Sequence, residues 1–171
     1  MVRAPAPSPS PAAVDAPTVE IRTARPADRD AIVELGRRCS AETLRRRFHA
    51  PVPEFPKRYL DWILDPATHA DNLVAIADDR VVALATFQPT GAGHGEIAVL
   101  VEDEWQHHGI GTRLVRRLGR RAYARHAEAI DASIMADNMT ALALLRTSGA
   151  DGTVRFVDGS LLVSVSLHPA G

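Results

Sequence analysis

Apolar and polar residues alternate over Thr18-Val19-Glu20-Ile21-Arg22, the period of a strand with one buried face. Pro26 at a first-helical position, with Asp28 and Asp30 in the first turn, then predicts a helix running to about Cys39. Ser40 is placed to cap a second helix, Ala41 to about Phe48, with Leu44 and Phe48 on one face. Pro51, Pro53 and Pro56 break the chain. Tyr59, Leu60, Ile63 and Leu64 give a short third helix, ended by Asp65-Pro66. Leu73 to Ala77 and Val81 to Phe87, joined at Asp78-Asp79-Arg80, read as a β-hairpin. Gly91 and Gly93 mark a loop before the buried strand Ile97-Ala98-Val99-Leu100-Val101.

Beyond the turn Gln106-His107-His108-Gly109-Ile110-Gly111-Thr112, apolar residues recur at Leu114, Val115, Leu118 and Ala122. Arg113, Arg116, Arg117, Arg120 and Arg121 fill the other face, as on an amphipathic helix. Ala129 to Met135 is another strand, and Thr140 to Thr147 a helix that Gly149 should end. Val154 to Val157 and Ser160 to Leu167 form a closing hairpin around Asp158-Gly159. The order β-α-α-α-β-β-β-α-β-α-β-β predicts an α/β layer fold, a mixed sheet with helices on both faces.

The chain has 171 residues, enough for one domain with its own core, expected over 18–168. Residues 1–17 are rich in proline and alanine, which predicts an extended, disordered tail; it lacks the apolar segment of a secretory signal. No apolar run reaches membrane-span length, and a cytoplasmic protein is expected. A net charge of −1 argues against a general nucleic-acid binder, which needs a basic field. Cys39 is the only cysteine, so no internal disulfide can form; it reads as the apolar end of a helix.

A glycine-containing turn that opens a helix aims unpaired N–H groups and the positive end of the helix dipole at one point, an anion site suited to a pyrophosphate. Dinucleotide folds put such a turn after the first strand with a three-glycine spacing; here it follows the fourth strand without it. A P-loop needs a lysine before its Ser or Thr, and none accompanies Thr112.

In that setting Gln106-His107-His108-Gly109-Ile110-Gly111 resembles the Q/R-x-x-G-x-G signature of the GNAT acetyltransferase superfamily, in which this turn holds the pyrophosphate of acetyl-CoA. Asn138 opening the next helix and Gly149 closing it fit the same pattern, and the likeness spans Val19 to Leu167. Ser40-Ala41-Glu42-Thr43-Leu44-Arg45-Arg46-Arg47-Phe48 and Gly95-Glu96-Ile97-Ala98-Val99-Leu100-Val101 are similar to segments of bacterial GNAT protein-lysine acetyltransferases. The resemblance implies a mostly antiparallel GNAT sheet, acetyl-CoA as co-substrate, a primary amine as acceptor and, as in many similar proteins, a homodimer. A protein lysine comes first among acceptors and a small-molecule amine second. A non-catalytic acyl-CoA-binding regulatory module stays open as the competing class.

The resemblance assigns roles by position. Amides from His107 to Thr112 would hold the phosphates, and the Thr112 hydroxyl is an extra donor. The superfamily usually has glycine at the position of His107; a β-carbon is tolerable there if φ is negative. His107 and His108 are adjacent, their side chains diverge, and no third ligand is spaced nearby, so no metal site is expected. Val99, Leu100 and Val101 would pair their backbone with the pantetheine amides, where the superfamily splays its sheet and an N–H faces the thioester oxygen. Glu96 matches the glutamate that serves as base in similar protein acetyltransferases; Glu102, Asp103 and Glu104, an acidic surface turn, are in reserve.

Asn138 would cap its helix or bond the cofactor arm. Seven residues on, Leu145 replaces the tyrosine that many relatives use as general acid. A thiol of pKa about 8.5 leaves tolerably without one. The acceptor pocket is expected from the Ser40–Leu64 helices and the closing hairpin. Arg45, Arg46 and Arg47 read as a solvated helix face that could also steer an acidic substrate, and Trp62 and Trp105 as packing anchors.

Overall fold

The computed structural model describes residues 18–146 and 152–167; the tail and Gly149 lie outside them. Among the described residues seven strands form one sheet: β1 (Glu20–Thr23), β2 (Asp71–Ala77), β3 (Arg80–Gly91), β4 (His94–Val101), β5 (Ala129–Met135), β6 (Gly152–Val157) and β7 (Ser160–Ser166). Their order is β1-β2-β3-β4-β5-β7-β6, and every neighbouring pair is antiparallel except β4 with β5. The helices are α1 (Arg29–Arg38), α2 (Ala41–Phe48), α3 (Lys57–Leu64), α4 (Ile110–Ala124) and α5 (Met139–Arg146).

This is the mixed α/β sheet with helices on both faces expected from the order of elements, mostly antiparallel as the resemblance implied. One face of the sheet packs Leu73, Ala85, Ile97 and Ile130 against Leu114, Val115 and Leu118 of α4 and Leu142 of α5. The other packs Val74, Leu84 and Leu100 against Ile32 and Leu35 of α1, Leu44 of α2 and Leu60 of α3. Burying both sheet faces explains why β2 and β3 read as near-continuous apolar runs. Among the described residues no helix is long and apolar enough to cross a membrane.

Two details differ from expectation. The segment Gly91-Ala92-Gly93 is not a free loop but the turn of a β3–β4 hairpin, with all three residues at positive φ (101°, 49° and 76°). Trp62 is exposed on α3, at the edge of an aromatic group with Tyr59, whereas Trp105 is buried as expected.

Candidate functional site

The parallel pair β4–β5 is joined only at its start: His94 with Ala129, Gly95 with Ile130 and Glu96 with Asp131. Among the described residues, β4 has only β3 as strand partner from Ile97 onward, and β5 only β7 from Ala132 onward. The sheet opens there. Along β4 the Glu102 N–H donates to the Val82 carbonyl at 2.9 Å, so even-numbered residues aim their backbone at β3. By alternation Ile97, Val99 and Val101 aim their N–H and C=O groups into the gap. A cavity of about 690 Å³ fills it, lined by Val99, Leu100 and Val101 of β4 and by Ala132, Ser133 and Ile134 of β5.

At one end of the cavity stands the turn into α4. Gly109 (φ 74°, ψ 4°) is the N-cap, and the first helical bond is Arg113 N–H to the Gly109 carbonyl at 3.1 Å. The amides of Gly109, Ile110, Gly111 and Thr112 therefore have no acceptor within the helix. His107, Gly109, Gly111 and Thr112 line the cavity beside them. A β-carbon on Gly109 would meet nothing within 4 Å, whereas one on Gly111 would lie 3.2 Å from Leu144 Cδ2. Gly109 thus leaves open space at the helix end, and Gly111 lets α5 pack closely. This cradle of free amides beside an unpaired strand edge fits a diphosphate joined to an extended amide chain, the shape of a CoA ester.

Two residues of the turn face elsewhere. Ile110 is buried in the core, so only its amide can serve a ligand. His108 turns its ring from the cavity: Nδ1 donates to the Gln106 carbonyl at 2.7 Å, and the ring stands 6.2 Å from that of Trp105. The condition under which a β-carbon is readily tolerated at His107, a negative φ, is not met, because φ is 63°. That left-handed backbone explains why glycine suits the position.

Gln106 lines the cavity, but its side chain is a tie. Nε2 donates to the Val101 carbonyl at 3.1 Å and to Thr43 Oγ1 at 3.2 Å. Helix α2 is in fact strapped across the opening. On the β4 side Asp103 accepts from the Ser40 N–H (2.8 Å), Ser40 Oγ (2.7 Å) and Thr43 Oγ1 (2.9 Å). Burial opposes ionisation of Asp103, but these donors outweigh it and hold its carboxyl below the usual range. On the β5 side Arg45 bonds Asp137 at 2.8 Å and His49 Nε2 lies 3.1 Å from the Ser133 carbonyl.

Glu96 lines the same cavity on the face covered by α2 and is exposed. None of the reserve carboxylates lines the cavity: Asp103 ties α2 down, and Glu104 is exposed. Glu102 is not on the surface: it is buried and paired with Arg38 at 3.0 Å and Arg80 at 3.5 Å. Asn138 Oδ1 caps α5 by accepting the Ala141 N–H at 3.1 Å, and the residue also borders the cavity. Leu145 lines the cavity from the core side. The Cys39 thiol is buried beside acidic neighbours, which pushes it up to about 12.

Arg46, Arg47, His49 and Tyr59 also line the cavity, so the α2 arginines are half-buried and not a solvated face. Tyr59 belongs to no motif, and only the packing of α3 on α2 brings it there. Among the described residues, the closing hairpin contributes nothing to the lining.

Residues 38–150 match the acetyltransferase (GNAT) family. No curated protein matches the chain by sequence. Among solved structures it is similar to the GNAT domain of S. lividans PAT, at 20% identity and TM-score 0.80, over 93% of this chain and 100% of that one. It is also similar to the ribosomal-protein-S18-alanine N-acetyltransferase from Escherichia coli, at 17% identity and TM-score 0.68, over 90% and 97%. The ribosomal-protein-alanine N-acetyltransferase from Brucella melitensis follows at 22% identity and TM-score 0.68, over 85% and 97%.

Proposed function

The chain belongs to the acetyltransferase (GNAT) family, and from that premise we propose that it transfers the acetyl group of acetyl-CoA directly to a primary amine, a protein lysine first. The observation that carries this reading is the cavity itself, which joins free helix-terminal amides, an unpaired strand edge and one carboxylate. A small-molecule amine is the second acceptor class, and similarity to the ribosomal-protein-alanine enzymes supports a protein α-amine as a variant of the first.

When bound, acetyl-CoA would supply an activated acyl carbon and a thiolate leaving group. The amides of His107 to Thr112 would bind its diphosphate, with the α4 dipole adding to them. The gap-facing backbone of Val99 and Val101 would hold the pantetheine arm as an added strand. One amide on that edge, at Ile97 or Val99, would donate to the thioester oxygen and stabilise the charge that builds there as the amine attacks.

An alkylamine of pKa about 10.4 arrives mostly protonated, so a base must take its proton. Glu96 lies on the acceptor face of β4 and would accept it, directly or through one water. With Leu145 in place of tyrosine, no acid is assigned to the thiolate. Helix α2 would orient the acceptor and limit water at the opening.

The test is acetyl-CoA consumption against amines and one lysine-rich protein, with product mass measured. Acetylated amine is the expected result. Binding of CoA thioesters with no turnover on any acceptor would instead favour a regulatory acyl-CoA module.

A further inference from the structure

Three consecutive arginines stand in the last turn of α2, and they are not equivalent. Arg45 bonds Glu42 at 2.7 Å and Asp137 at 2.8 Å, and Arg46 reaches Glu42 at 2.7 Å. Arg47 meets no carboxylate among the described residues. Its guanidinium donates to the Tyr59 hydroxyl and lies over the rings of Phe48 and Tyr59, 4.8 and 4.9 Å from their centroids. Phe48 and Tyr59 are themselves stacked edge to face. The cation is therefore half-buried and held in one orientation, on the wall of the cavity that contains Glu96.

Aromatic faces offset part of the cost of desolvating a cation, but they leave most of its hydrogen-bonding fork unused. A planar fork of this kind matches a carboxylate in two parallel bonds. Arg47 and Glu96 thus offer opposite charges to one occupant, and the rings of Phe48 and Tyr59 offer an apolar wall for an alkyl chain. A polyamine, cationic throughout, has nothing to give Arg47.

We propose that Arg47 binds a carboxylate of the acceptor, so that the preferred substrate carries its amine and a carboxylate on one molecule. This rests on the cavity being an N-acetyltransferase site. The carboxylate has two sources: the α-carboxylate of a free amino acid, or an acidic side chain beside a lysine in a peptide.

Two matched pairs separate them, lysine against lysinamide and a peptide with Asp-flanked lysine against its Asn-flanked counterpart. For one pair the wild-type protein should favour the carboxylate by about tenfold or more in kcat/KM, mainly through KM. Arg47→Gln should bring the members of that pair within about twofold of each other. Arg47→Lys, which keeps the charge but not the fork, should keep part of the preference. The pair that responds names the source, and a thermal melt confirms that each variant is folded.

Equal kcat/KM within both pairs for the wild type, or a preference that survives Arg47→Gln, would overturn the assignment while leaving acetyl transfer intact. No transfer to any of the four would overturn this proposal, while the N-acetyltransferase reading falls only if acetyl-CoA is also not consumed with the wider amine panel.

Discussion

Glu96 of β4 and Asp131 of β5 are the last partners joined across the parallel pair before the sheet opens, and their side chains share one face. Asp131 is engaged by His94, whose Nδ1 lies 2.8 Å from its carboxylate, and among the described residues Glu96 has no such partner. Only Glu96 borders the cavity. The fork in the sheet thus puts a free carboxylate at the point where the strand edge becomes available to a ligand.

Glu96→Gln should therefore lower kcat about 10²-fold or more, the usual worth of a positioned base, and leave acetyl-CoA affinity within about twofold. Asp131→Asn should cost less than tenfold. Steady-state kinetics and calorimetry with acetyl-CoA check both, and equal losses for the two variants would move the proton-accepting role off Glu96.

Most of this arrangement was legible in the sequence, because its signals are local. A period-2 run, a glycine turn and an amphipathic helix specify β4, the free amides and α4 without reference to the rest of the chain. The opening of the sheet is not local: it depends on β5 leaving β4 after Asp131, and the residues of both strands look like ordinary buried strand. The ring of ties around α2 was hidden for the same reason, since Ser40 and Asp103 are 63 residues apart in sequence. Glu102 misled as part of an acidic run, because its charge is balanced by Arg38, a partner 64 positions away.

His107 carries a β-carbon at φ 63°, a conformation that costs a non-glycine residue about 1–2 kcal/mol. Glycine removes that strain but has more freedom to lose from the unfolded chain, so the net gain for His107→Gly should be about 0.5–1 kcal/mol. A thermal midpoint raised by roughly 1–4 °C is expected, with acetyl-CoA bound at least as tightly. A lower midpoint would reveal a stabilising contact made by the imidazole.

Direct transfer leaves no role for a nucleophilic thiol. Cys39 is buried at the end of α1 with its thiol pushed up to about 12, so almost no thiolate exists near neutrality. Cys39→Ala should keep kcat within about twofold and lose roughly 1 kcal/mol of stability from the vacated space. Iodoacetamide should label the folded protein far more slowly than the unfolded one. Inactivation that tracks alkylation of native protein would contradict direct transfer.

Acid stability should depend on Asp28, which ties the start of α1 to β1. Its carboxylate takes two hydrogen bonds from Arg22 and one from the Arg25 N–H, each at 2.7 Å. The bonds from Arg22 hold the Asp28 carboxyl below the usual carboxylate range, against the opposing effect of burial. Because the folded pKa is depressed, the stabilisation is complete above the unfolded value of about 3.9 and fades as pH falls through the lower folded value. Asp28→Asn should cost about 1–3 kcal/mol at pH 7 by leaving Arg22 without its anion. In urea melts from pH 7 down to pH 2, the gap between wild type and variant should hold to about pH 4 and then close. A gap that stayed constant over the whole range would mean that the pair contributes through packing and not through its charge.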